Sequence, residues 1–357
     1  MKKIIFLLLF CCSSAMPLVM AQNEELPSTQ QVQCIAFYNL ENVFDTLYAE
    51  GADDAEYLPD SAKAWNTEKY RNKIHNMAYA ISLLGTDYDA RGAVCVGLSE
   101  VENMNCLNDI VEELKKYNRN YSPILLEGPD ERGLDVGLLY NPDFFKPTNV
   151  QGYKLFAHYA DGTEVKGRLQ LLVSGYLLEG HPEKIHLIVN HWPSRYRGEL
   201  ASRVARDTAA MLTKRICDSI YTKENNAKII IMGDMNDDPF NHSCANVLGA
   251  RKMREEVEKN GFFNTMWLHL DKGLGSLCYQ GTWNLFDQII ISEPFMNAQL
   301  EDGKWTYWKS QIFNKPFLTI QEGDDKGVPL RTHKSGVYQN GYSDHFPTMI
   351  YLVRKNQ

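Results

Sequence analysis

The sequence predicts an α+β protein, two packed sheets covered by helices and built as one domain. Short apolar runs rich in β-branched residues recur along the chain, each of strand length. Long stretches between them carry apolar residues at helical spacing. No fixed-period repeat or low-complexity tract divides the chain. Its 357 residues suit one large or two ordinary domains. An apolar share of 44% and a charged share of 23% are those of a soluble globular protein.

The start reads as a targeting segment. Lys2 and Lys3 precede an apolar core from Ile4 to Phe10, and Val19-Met20-Ala21 offers small residues for cleavage. The expectation is removal of residues 1–21 and export to the periplasm or the exterior. A lipid anchor at Cys11 or Cys12 is the alternative, disfavoured by Phe10 where a small residue is wanted. No later apolar stretch reaches the ~20 residues of a membrane span. Six cysteines follow the cleavage point, with no zinc-like spacing among them, and zero to two disulfides are expected.

Residues 22–31 are polar and read as a linker into a single domain over 32–357. Val32 to Tyr38 is the first predicted strand, followed by an acidic loop holding Asp53, Asp54, Glu56 and Asp60. Tyr70, Ile74, Met77, Ile81 and Leu84 share a helical face, so Thr67 to Leu84 is a helix closed by Gly85. Ala93 to Leu98 is a buried strand and Leu107 to Tyr117 a helix. Strands follow at Tyr121 to Leu126, Leu134 to Tyr140, Val150 to Phe156, Gln170 to Tyr176 and Lys184 to His191. Glu199 to Tyr221 is a helix, with Leu200, Val204, Leu212, Ile216 and Ile220 in register. Ile229 to Met232 is the most apolar strand, and Gly233 after it is expected to turn the chain. Phe286 to Ser292 and Thr348 to Val353 are the last strands, and residues 294–341 are expected to be long and irregular.

Buried strands repeatedly end in a side chain able to hold a metal ion or a phosphate. This happens at Asn39, Glu100, His191, Asp234 with Asn236, Asp287, and Asp344 with His345. Each has a plain alternative: a turn, a helix cap, a satisfied core histidine. Taken together they suggest functional groups gathered at one end of a scaffold. Carboxylates bind Mg²⁺ with waters left on it, and the metal neutralises phosphate charge. A histidine paired with a carboxylate is a general base near neutral pH. Arg132, Arg168, Arg195 and Arg203 could fork onto phosphate oxygens, although surface ion pairs are the alternative. The formal charge of −8, without a basic run, excludes a binder with a broad phosphate footprint.

Seven motifs in this order give the chain a family resemblance: Phe37-Tyr-Asn-Leu-Glu-Asn42, Gly97-Leu-Ser-Glu-Val-Glu-Asn103, Arg132-Gly-Leu-Asp-Val-Gly-Leu-Leu-Tyr140, Asn190-His-Trp-Pro-Ser194, Met232-Gly-Asp-Met-Asn236, Phe286-Asp-Gln-Ile289 and Tyr342-Ser-Asp-His345. The chain resembles the endonuclease/exonuclease/phosphatase superfamily of metal-dependent phosphoesterases, over about residues 32–354. The resemblance implies a four-layer α/β/β/α sandwich of two mainly antiparallel sheets. It implies Mg²⁺, or Mn²⁺ or Ca²⁺ in its place, held by Glu100 with Asn39 and Asp344. It implies Asp234 as the acid that activates or positions water, Asn236 on the phosphate, and His345 at the scissile phosphate paired with Asp287. His191 corresponds to the histidine that protonates the leaving oxygen, with Asp135 orienting it. Arg132 and Arg168 are taken as phosphate-binding. Whether Asp234 or His345 is the base stays open.

One departure is Ser99 before Glu100, where the family usually has glutamine. The expected substrate is a phosphate ester, nucleic acid first, with a lipid or sugar phosphate as runner-up, a monoesterase as a third possibility, and no protein partner or stable membrane insertion. A sphingomyelinase-like member would expose an aromatic hairpin to the membrane, for which Trp305 and Trp308 are the candidates, with packing in the core or rim as the alternative. A non-catalytic binding protein would have lost one of Glu100, Asp234, Asn236 or His345, and all are present.

Overall fold

The computed structural model describes residues 30–297 and 302–355. The expected targeting segment, and residues 22–29 of the expected linker, lie outside them. Gln30 and Gln31 are not linker: they pair with Lys355 and Arg354 as the start of the first strand.

The chain runs β1 (Gln30–Val43), α1 (Thr67–Ser82), β2 (Ala93–Val101), α2 (Met104–Leu114), β3 (Ser122–Leu125), β4 (Asp135–Tyr140) and β5 (Phe145–Tyr153). It continues through β6 (Gln170–Leu177), β7 (Glu183–His191), α3 (Glu199–Lys223), β8 (Ile229–Asp234), β9 (Ala250–Arg251) and β10 (Phe262–Asn264). The last sheet strands are β11 (Asp287–Ser292), β12 (Thr306–Ile312) and β13 (Thr348–Lys355). One sheet has the order β12-β13-β1-β2-β4-β3 and the other β9-β10-β11-β8-β7-β6-β5. Pairing is mainly antiparallel, with β1–β2, β7–β8 and β9–β10 parallel.

Three apolar layers hold the stack together. Between the sheets lie Phe37, Leu138, Val173, Leu187, Met232, Ile289 and Ile350, all fully buried. Met77, Ile81, Leu107 and Ile110 seat α1 and α2 on the outside of the first sheet. Ala205, Ala209, Ile216 and Ile220 seat α3 on the second. The result is the expected helix–sheet–sheet–helix sandwich, because each sheet buries one face on its partner and the other under helices. The sheets meet closely at Gly97, where a Cβ would lie 2.5 Å from the Met232 sulfur.

Two expectations change. Gly233 does not turn the chain; it sits inside β8 between Asn190 and Gln288, and a Cβ there would reach 2.3 Å from the Asn190 carbonyl oxygen. Residues 294–341 are not wholly irregular, since they contain the edge strand β12. Trp305 is fully buried and Trp308 packs on Tyr88 and Tyr351, so neither is offered to a membrane. Among the described residues no helix is long and apolar enough to cross a membrane. The six described cysteines are all unpaired.

Candidate active site

The topology gathers the polar strand ends. Asp234, closing β8, faces His191 at the end of β7 and Asp287 at the start of antiparallel β11. Across the sandwich, β1 and β2 bring Asn39 and Glu100 to the same edge. The Asn39 side-chain amide donates to Asp234 Oδ2 at 3.0 Å and to Glu100 Oε1 at 3.5 Å. Regular pairing breaks here: the β1–β2 register shifts between Asn39 and Val43, and Glu41, Asn42 and Glu100 take positive φ. That curl lets the Asn42 N–H donate to Glu100 Oε2 at 2.9 Å. Ser343 locks the last motif in place by donating to the Asn39 carbonyl at 2.7 Å and accepting the His345 N–H at 3.1 Å.

The centre is compact. His345 Nδ1 lies 2.6 Å from Asp287 Oδ2, and its Nε2 lies 4.0 Å from Asp234 Oδ2 and 3.8 Å from Asp344 Oδ1. His191 Nε2 lies 3.6 Å from Asp234 Oδ2 and 3.9 Å from Glu100 Oε1. The Asn236 N–H donates to Asp234 Oδ1 at 2.9 Å, and its side-chain amide donates to the Trp192 carbonyl at 3.0 Å.

Burial sets the charges. It pushes the Asp234 carboxyl up to about 7, against the pull of His345 and with help from Asp287 and Glu100. Burial also works to lower His345, but Asp287, Asp344 and Asp234 outweigh it and hold this imidazole well above its ordinary value. Burial, then the positive charges of Arg168, Arg132 and His345, keep His191 well below its ordinary value. The two histidines are thus driven apart, one toward imidazolium and one toward neutral.

One expected contact is absent, and several of the expected groups are already engaged by protein neighbours. Asp135 does not orient His191: its Oδ1 accepts the Gly128 N–H at 2.9 Å, while His191 Nδ1 has no hydrogen-bond partner. The turn at Gly128 reached the carboxylate first. Burial nevertheless raises Asp135 to about 7. Asn39 turns its nitrogen, not its oxygen, toward the carboxylates, because its Oδ1 accepts the Glu41 N–H at 3.0 Å. Arg168 is buried, with its Nε 3.1 Å from an Asp130 carboxylate oxygen. Arg132 is half exposed beside Glu100 at 3.8 Å and donates to Asn42 Oδ1 at 3.0 Å. Asp344 pairs with Arg331 at 2.9 Å.

Two residues of the site escaped sequence reasoning. Buried Glu41 accepts from Arg331 Nε at 3.0 Å and from the Thr332 N–H at 2.7 Å. Burial first, then Asp344, raises this carboxyl to about 7. Its place inside the Phe37–Asn42 motif was a signal; Arg331, alone in a glycine-bearing stretch, offered none.

A divalent cation fits the donor set. Oxygens of Glu100 and Asp234 face the same neutral imidazole at 3.9 and 3.6 Å. Asp287 Oδ1 is buried without a partner. Clustered carboxylate oxygens are the ligands of hard cations.

Comparison with known proteins agrees with this architecture. The structure is similar to an endonuclease/exonuclease/phosphatase family protein from Bacteroides thetaiotaomicron, with 14% identity over 92% of this chain and 100% of that one, and a TM-score of 0.53. It is similar to a humanised D. rerio TDP2, with 14% identity over 90% and 98% of the two chains and a TM-score of 0.51. A mannosyl-6-phosphatase from B. thetaiotaomicron gives 15% identity, 90% and 99% coverage and a TM-score of 0.50. No curated protein matches the sequence. At such identities the likeness concerns the fold, whereas the family profile matches the sequence itself over residues 34–354. The chain belongs to the Endonuclease/Exonuclease/phosphatase family of phosphoester hydrolases.

Proposed function

We propose that this protein is an exported, divalent-metal-dependent phosphodiesterase that cuts nucleic acid with little sequence preference. The observation that carries the reading is the gathering of Glu100, Asp234, His191, Asp287 and His345 from five strand ends, with His345 and Asp287 2.6 Å apart. Export rests on the basic and apolar start of the sequence.

Glu100 would hold the cation, with Asp344 as a further acid on the metal side. When bound, the metal neutralises phosphate charge and stabilises the leaving oxygen. The residues divide the remaining work. Asp234, raised to about 7, accepts a proton from the attacking water near neutral pH. His345, kept positive by Asp287, donates to a phosphate oxygen as charge builds. Asn236, anchored on the Trp192 carbonyl, presents its amide to the phosphate. Arg132 stands half exposed at the rim beside Glu100 and meets a neighbouring anionic group.

A sugar or lipid phosphate is the second reading. The charge of −8 favours it, because a long polyanion is repelled by an acidic surface. One panel tests both. The mature chain is incubated with plasmid DNA, RNA, mannose 6-phosphate, inositol phosphates and sphingomyelin, each with Mg²⁺ or EDTA. Metal-dependent cleavage of the nucleic acids is expected. Turnover of a sugar or lipid phosphate alone would replace the first reading with the second, and inactivity throughout would overturn both.

A further inference from the structure

Away from the Asp234 cluster, β5, β6, β7 and the end of α3 line an open cavity of about 220 Å³. Thr148, Asn149, Ser174, His186, Lys223 and Glu224 are among its walls. Ser174 and His186 are cross-strand partners, and the Ser174 hydroxyl lies 2.7 Å from His186 Nδ1. The other ring nitrogen, Nε2, lies 3.4 Å from Glu224 Oε2, and Glu224 is in turn held by Lys184 at 2.7 Å. His186 precedes His191 by five residues on β7. Extended chain places the two about 16 Å apart, and the odd spacing puts them on opposite faces of the sheet. Nothing in the phosphoesterase reading uses this group.

The hydrogen bonds fix the protons. A carboxylate accepts only, so Glu224 accepts a hydrogen bond from His186 Nε2–H. Nδ1 is then the acceptor, and the Ser174 O–H donates to it. Burial works upward on Glu224, but Lys184 and His186 outweigh it and keep it below its ordinary value. Burial in turn lowers His186, which stays neutral and able to accept a proton near pH 7. A hydroxyl, a neutral imidazole and an ionised carboxylate in line make an activated nucleophile. The ring is used with its two nitrogens exchanged relative to the commoner arrangement, which changes the approach and leaves the proton logic intact.

We propose that Ser174, His186 and Glu224 form a second, metal-independent reactive centre that takes small activated carboxylic esters. The Ser174 oxygen bonds to the ester carbonyl carbon while its proton passes to His186 Nδ1. The bond from that carbon to the leaving oxygen breaks, and the leaving oxygen takes the proton from Nδ1. Water then repeats the exchange: its oxygen bonds to the acyl carbon, its proton passes through His186, and Ser174 leaves as the free hydroxyl. No oxidant or reductant is needed. The cavity volume suits a short acyl group, and Asn149 and Lys223 among its walls are the candidate donors to the oxyanion.

The full mature chain in EDTA is treated with phenylmethanesulfonyl fluoride, which loses fluoride as sulfur bonds to a serine oxygen, and the adduct is mapped by mass spectrometry. Hydrolysis of p-nitrophenyl acetate in EDTA is followed alongside. The expected result is one adduct, on Ser174, with ester hydrolysis above the buffer rate. Ser174→Ala and Glu224→Gln should bring hydrolysis to the buffer rate, with melting temperatures near that of the parent. No adduct, an adduct elsewhere, or undiminished hydrolysis in Ser174→Ala would overturn the proposal. The adduct is read on the unaltered chain, so a variant that fails to fold does not rescue the idea.

Discussion

At the scale of single residues, the Asp287–His345 pair makes the sharpest prediction. Asp287 is the largest influence raising His345, with a contact of 2.6 Å. If His345 acts as a cation, activity falls as pH rises through its pKa. Asp287→Asn removes the charge that raises that pKa, so the alkaline limb of the pH–rate profile should move to lower pH. The same variant should lower kcat by about 100-fold, the scale of a lost acid–base group. A profile superimposable on that of the parent would remove His345 from the proposed chemistry. A second residue speaks to stability. Burial, then Asp45 and Asp54, push Glu102 from 4.5 up to about 7. Between those values the folded chain keeps a proton that the unfolded chain releases, so stability falls as pH rises through that window and levels off above it. Glu102→Gln cannot ionise, so its melting temperature should gain on the parent's between pH 5 and 7. A constant difference between the two melting curves across that range would show that Glu102 does not titrate there. The identities of the central residues were legible because each ends an apolar strand. Their partners were not: whether Asp135 meets His191 or the Gly128 N–H depends on how one turn closes, and no spacing along the chain records that.

At the scale of elements, strands that alternate or run apolar were legible, and edge strands were not. β12, Thr306–Ile312, carries Lys309, Ser310 and Gln311 on a sheet edge, where polar residues are tolerated and guard against further pairing. β5 starts at Phe145 rather than Val150 and carries Pro147, which an edge strand accepts because one side needs no N–H. A buried lysine helps to pin the segment after β12. Lys73, on α1 and 1% exposed, donates to Thr332 Oγ1 at 2.7 Å and to the Tyr342 carbonyl. It also faces Glu41, whose partner Arg331 holds Asp344. Lys73→Met keeps the apolar stem and removes the cation. It leaves Glu41 with less compensation in a buried place, which should cost ~3 kcal/mol of unfolding free energy. Denaturant titration measures this as a lower midpoint at unchanged slope. A midpoint within error of the parent's would mean that the segment is held by other contacts.

At the scale of the whole molecule, the charge balance constrains how a nucleic acid could be held. The chain carries a net −8, and no basic run was found to offset it. Beside the central carboxylates the arginines with half-exposed side chains are Arg132 at 41% and Arg331 at 42%, both already facing acids. Arg168 is only 8% exposed and paired with Asp130, so it adds little reach. Affinity for a duplex falls with salt by a slope of about −0.9 per phosphate neutralised. Two arginines therefore predict a slope near −2 for log affinity against log salt at fixed free Mg²⁺. The slope should drop by about one when Arg132→Gln is measured, because that side chain contributes one phosphate contact. Fluorescence anisotropy with a labelled oligonucleotide and the Asp234→Asn variant would give both values without turnover. A slope steeper than about −5 would require a broad basic face that the surface described here does not have, and the acidic rim would then have to be screened by several bound cations rather than one.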